Sequence, residues 1–188
     1  MKLRKGFTLV ELLIVIVIIG VLAAAMLLAS GAATASAEAS NIVSNLRNLQ
    51  SGSLMFFADN MDDLMAGNPA VVLYDDPRTA GAQIDITVAA DAVHLLVQYT
   101  NNPDAGVWDN YMFEVVGGAA TTPIADRTWY VSSLVTRRDV STRLEGRADG
   151  VGLFEDALVI PGAPYSAPTA TPFPTGHRVY MLIRNPGA

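Results

Sequence analysis

The hydrophobic pattern divides the chain into stretches of different character. Residues 12–29 read LLIVIVIIGVLAAAMLLA, with no charged or strongly polar side chain. At ~1.5 Å rise per residue they make a helix of about 27 Å, close to the ~30 Å hydrocarbon thickness of a bilayer. Phe7–Val10 extend the apolar segment on the other side of Glu11. Residues 30–50 turn to Ala and Ser, with Ile42, Leu46 and Leu49 at helical spacing, and Leu54, Met55, Phe57 and Met61 continuing it. One helix from Phe7 to about Leu64 follows, a rod of roughly 85 Å whose second half packs an apolar stripe on a sheet. Gly67-Asn68-Pro69 is its expected stop.

Beyond that stop the period changes. Val71–Tyr74 suits a short strand, and Gln83–Ala89 alternates as a half-buried strand does. Asp91 N-caps a short helix over Ala92–Val97. Val107–Val116, Arg127–Val135 and Arg178–Arg184 are rich in β-branched and aromatic residues and predict strands, while Gly152–Ile160 is ambiguous. Pro161–Gly176 holds five prolines among Ser, Thr and Ala and reads as an extended surface loop. A long helix followed by strands is an α+β pattern, with an antiparallel sheet laid on the helix.

Charge sharpens the picture at the N-terminus. The chain carries −6 overall, yet Lys2, Arg4 and Lys5 make the first six residues basic and no lysine follows. The remainder sets nine Arg against 18 acidic residues. An acidic body speaks against nucleic-acid binding, which ordinarily needs a basic patch. The basic leader predicts a cytoplasmic N-terminus by the positive-inside bias, with the body across the membrane. There is no cysteine, which excludes disulfides and thiolate metal sites.

Three readings account for a basic leader before an apolar run. A secretory signal peptide would end at Ala35-Ser36-Ala37 and free a domain starting at Glu38. Its apolar run would be longer than such segments usually are, and Glu11 would serve no purpose in it. A plain signal anchor would let Glu11 snorkel to the interface but leaves Gly6 and Phe7 unexplained. A carboxylate near the hydrocarbon is otherwise a functional hypothesis that needs a partner.

The third reading rests on a motif. Gly6-Phe7-Thr8-Leu9-Val10-Glu11-Leu12-Leu13, preceded by Lys-Leu-Arg-Lys, resembles the class III leader of type IV pilins and of type II secretion pseudopilins. The resemblance covers about the first 30 residues. It implies a leader 1–6 removed by a prepilin peptidase, N-methylation of Phe7, a transmembrane and assembly helix over 7–29, a soluble helical half over 30–66, and a β-rich headpiece over 67–188. Gly6 suits the cut because an extended backbone without Cβ lies close to a protease. Cleavage creates an ammonium at Phe7, four residues from Glu11 on one helical face. The resemblance further implies that Glu11 meets a neighbouring subunit's amine and sets register, with the inner-membrane assembly platform, the bilayer and other copies of this chain as partners. The filament would then be a surface pilus or a periplasmic pseudopilus. Many pilins carry a late proline in this helix; here Ala25–Ala29 has none, leaving Gly20 as the candidate point of flexibility.

Catalytic chemistry has little support. His94 and His177 are far apart in sequence, and no nucleophile-elbow motif accompanies the serines. Asp59, Asp62 and Asp63, with Asp75-Asp76 nearby, lack a calcium-loop pattern and read as a solvated acidic face. Trp108, Trp129, Tyr130 and Tyr180 are assigned to the core. The expectation is a structural subunit with no catalytic residue, no metal ligand and no cofactor.

Overall fold

A computed structural model describes residues 7–66, 73–75, 83–85, 92–100, 108–118, 122–155, 164–170 and 173–186. The leader residues Lys2, Arg4, Lys5 and Gly6, the helix stop at Gly67-Asn68-Pro69, Asp76, the cap at Asp91, and residues 71–72, 86–89, 107, 156–163 and 171–172 of the expected strands and loop lie outside them.

Helix α1 runs unbroken from Leu9 to Asp59, 51 residues, or about 77 Å. Its halves face different surroundings. From Phe7 to Leu27 every large apolar side chain is half or more exposed. Beyond them, Ala35, Ala39, Ile42, Leu46, Leu49, Ser53 and Phe56 are buried, spaced alternately by four and three along one face. The expected stripe through Leu54, Met55 and Met61 is therefore corrected: these three are largely exposed. Small residues replace them at the contact. A Cβ on Gly52 would stand 3.4 Å from Tyr99 Cβ and 3.5 Å from the Leu96 carbonyl oxygen, so the 3₁₀ helix Val93–Tyr99 crosses α1 closely there.

α1 also ends earlier than the expected Leu64. Asn60 adopts φ −117° and ψ 23°, and its Nδ2 donates to the Phe56 carbonyl at 2.9 Å, a local side-chain bond that competes with continued helix. Helix α2, Met61–Met65, restarts at once and buries Leu64.

Strands β1 (Leu73–Asp75) and β2 (Gln83–Asp85) form an antiparallel pair. The main sheet contains β3 (Tyr111–Val116), β4 (Thr128–Leu134), β5 (Leu153–Phe154) and β6 (Arg178–Arg184) in the order β3-β4-β6-β5, all antiparallel. The strand expected over 107–116 begins only at Tyr111, because Trp108 is helical and Asp109-Asn110 form a turn. Register places Phe113 opposite Val131 and Val131 opposite Met181, and these face α1 with Trp129. Trp129 meets Phe57 at 5.3 Å and Phe113 at 5.2 Å, both edge to face, a favoured aromatic geometry. Trp108, Trp129 and Tyr130 are fully buried. Tyr180 is only half-buried, on the sheet's other face, edge to face with Tyr130.

Two short helices stand where none was expected: α3, Arg138–Glu145, and α4, Ala148–Val151. Val140, Leu144 and Ala148 form their buried side, and α3 packs on α1. α4 ends on Gly152 at φ 76°, the left-handed cap that Gly adopts without strain. The fold is α+β: a long N-terminal apolar helix with a small antiparallel four-stranded sheet, the pilin-like arrangement that the leader resemblance implied.

Candidate functional site

The site is built where α1 begins. Thr8 is extended (φ −83°, ψ 150°) and caps the helix. The Glu11 amide donates to Thr8 Oγ1 at 3.2 Å. In return, Glu11 Oε2 accepts from the Thr8 amide at 2.9 Å and from the Thr8 hydroxyl at 2.8 Å. This reciprocal capping box satisfies donors that a helix start otherwise leaves free. The Glu11 carboxylate also sits on the positive end of the helix dipole.

The geometry corrects one expectation. Phe7 lies before the helix rather than on its face, so Glu11's near partner within the chain is Thr8. Phe7 itself is 88% exposed, open to whatever handles it. Thr8 was overlooked in the sequence, although Thr-x-x-Glu ahead of an apolar run is a capping-box signature.

The apolar helix that follows has a mean hydropathy of 3.2 over an 18-residue window, none of it buried within the chain. Exposed apolar surface on that scale marks a membrane or protein contact. Gly20 lies inside continuous helix, and a Cβ there would meet nothing within 4 Å.

The other candidates separate. His94 is buried in the 3₁₀ helix. His177 Nε2 sits 2.8 Å from Tyr165 OH, which is 2.7 Å from Ser141 Oγ. Burial lowers the His177 pKa and raises that of Tyr165. These three side chains staple the loop at Tyr165 onto α3 and the start of β6. Asp59, Asp62 and Asp63 are exposed, and no group of acidic or histidine side chains suited to a metal occurs among the described residues. Part of the Pro-rich loop is fastened rather than free, since Tyr165 is buried and Arg138 donates to the Pro168 carbonyl at 2.7 Å.

No curated protein and no solved structure matches this chain. Residues 1–27 match the family model described as Prokaryotic N-terminal methylation motif. The chain thus carries, at the head of its long apolar helix, the prepilin-type cleavage and methylation segment of type IV pilin-like proteins.

Proposed function

We propose that this protein is a structural subunit of a type IV pilus. It is stored in the inner membrane through residues 7–29 with its N-terminus cytoplasmic, cut by a prepilin peptidase between Gly6 and Phe7, methylated at Phe7, and polymerised through α1. The observation that carries the reading is the continuity of one helix: it opens on the methylation motif, is apolar and unburied through Leu27, and becomes the core of the headpiece from Ala35 onward.

Removal of a signal peptide fits the geometry poorly. Ala35 is fully buried beneath the headpiece and Ser36 Oγ accepts from Arg147. A cut after Ala37 would divide α1 inside its packed half and expose that contact. The buried face has the structure of a core, not of a disposable leader.

Glu11 has a role under this reading that Thr8 refines. In the stored subunit the carboxylate is satisfied by two Thr8 donors, and both survive the cut because Thr8 lies beyond the scissile bond. The new ammonium at Phe7 then adds a positive charge that a neighbouring subunit's Glu11 can meet. At low dielectric that attraction is strong, but desolvation offsets much of it. Its main effect is register, since a copy entering at the wrong axial offset leaves charges unpaired.

Glu11→Ala tests this directly. Processing at Gly6 is expected to continue while filament yield falls about tenfold or more, the loss set by one misplaced charge pair of ~1.4 kcal/mol or above. Normal filament levels from the variant would end the register argument. Electron microscopy of sheared material separates the two assemblies. Surface filaments support the pilus, and filaments confined to the periplasm would make the chain a secretion pseudopilin.

A further inference from the structure

Four arginines, Arg137, Arg138, Arg143 and Arg147, fall within eleven residues of a body otherwise dominated by acids. Together with Ser36, Asp139 and Thr142 they line an open cavity of about 830 Å³ against α1. Arg137 is neutralised there by Glu38 at 3.0 Å and by Asp139. Among the described residues the others have no carboxylate partner. Arg138 donates to the carbonyls of Pro168 and Ala170 and stacks on Phe173. Among the described residues Arg147 donates to two hydroxyls, Ser40 Oγ at 2.8 Å and Ser36 Oγ at 3.3 Å. Arg143 is exposed and has no hydrogen-bond or ion-pair partner among the described residues. Asp139 and Glu38 are spent on Arg137, so the remaining guanidiniums present fork-shaped donors that suit a phosphate.

The place of the cavity along α1 names the phosphate. Contacts between α1 and the headpiece rise in order: Arg147 on Ser36 and Ser40, Tyr111 OH on Asn45, the Leu182 carbonyl on Gln50, and Trp129 against Phe57. Among the described contacts the arginine cavity is thus the headpiece element nearest the apolar end. α1 carries no charge from Leu12 to Ala37, about 39 Å of helix, which approaches the ~40–45 Å of a bilayer with its headgroups. Ser36 and Ser40 therefore stand at the outer edge of the headgroup layer.

We infer that Arg143 and Arg147, with Arg138 alongside, bind the phosphate of an anionic phospholipid headgroup in the leaflet beneath the headpiece. The inference rests on the membrane-stored reading of residues 7–29. Bound lipid would hold the headpiece at one orientation on the surface, and extraction of the subunit into a filament would release it.

The test uses the full mature chain in nanodiscs of phosphatidylcholine, with or without phosphatidylglycerol. Arginine side-chain NMR signals of Arg143 and Arg147 are expected to shift only when phosphatidylglycerol is present. Native mass spectrometry should show several-fold enrichment of phosphatidylglycerol among retained lipids, falling to parity in R143Q/R147Q. The single variant R143Q, which removes no hydrogen bond or ion pair among the described residues, should lower the enrichment partway. Equal signals in both discs overturn the proposal, as does the same shift on adding inorganic phosphate to phosphatidylcholine discs. A shift that appears only with two copies per disc also overturns it, in favour of a subunit contact. A chain that does not enter the discs overturns the membrane reading as well, which distinguishes that failure from failure of the arginines alone.

Discussion

A single carboxylate at the entrance of an apolar helix is tolerated because Thr8 turns it into a cap. Loss of an N-cap hydroxyl costs about 1 kcal/mol. Thr8→Val should therefore raise the hydrogen-exchange rate of the Glu11 and Leu12 amides in micelles by about fivefold. Unchanged exchange would mean that the Thr8 amide alone holds the carboxylate. Glu11 was legible in the sequence by its improbable surroundings, whereas Thr8 carries no charge and is marked only by the Thr-x-x-Glu spacing. At the other end of the molecule, His177 gives a pH-dependent prediction. Burial lowers its folded pKa, against a smaller opposing pull from Glu155. The unfolded chain then binds the proton more readily, so stability is complete above the ordinary histidine range of about 6.5 and declines as pH falls through it. Thermal unfolding of the detergent-solubilised chain should show a lower midpoint near pH 5 than near pH 7, with a shallower decline in His177→Gln. An identical decline in the variant would assign the effect to other groups.

α1 joins two physical regimes in one element, and its faces were only partly legible. The apolar run and the stripe at Ile42, Leu46 and Leu49 followed from periodicity alone, and all three side chains are buried. The stripe's continuation did not, because the contact passes through Gly52, Ser53 and Phe56, where small residues let the 3₁₀ helix approach, while the bulky Leu54 and Met55 point away. Stability should record this difference. Leu46→Ala removes a fully buried side chain and is expected to cost about 2–5 kcal/mol in denaturant unfolding. Leu54→Ala, nearly half exposed, should stay within about 0.5 kcal/mol. Equal losses at both positions would misplace the packed face. α3 escaped the sequence reading for a related reason. It has eight residues, and only Val140 and Leu144 supply apolar anchoring, so its helicity depends on docking against α1 rather than on its own composition. Strand β6 was legible to the residue, since RVYMLIR is an unbroken apolar run rich in strand formers with an arginine at each end.

The whole molecule is an acidic headpiece built around the upper half of a helix whose lower half has no partner among the described residues. That division explains why the fold class could be read from pattern: an uninterrupted apolar segment of membrane length is left unburied by the described headpiece and has the surface that lipid or other copies would cover. It also explains what pattern left hidden. The arginine cavity brings residues 36–40 together with 137–147, a juxtaposition created by packing across about a hundred positions of sequence. The methylation motif gives the lower half its expected history, storage in a bilayer and then packing in a filament. Mass spectrometry of the mature N-terminus tests that history most directly. The account predicts an N-terminal peptide beginning at N-methylated Phe7, with residues 1–6 absent. A peptide beginning at Glu38, or an intact chain beginning at Met1 in cells that contain active prepilin peptidase, would contradict it.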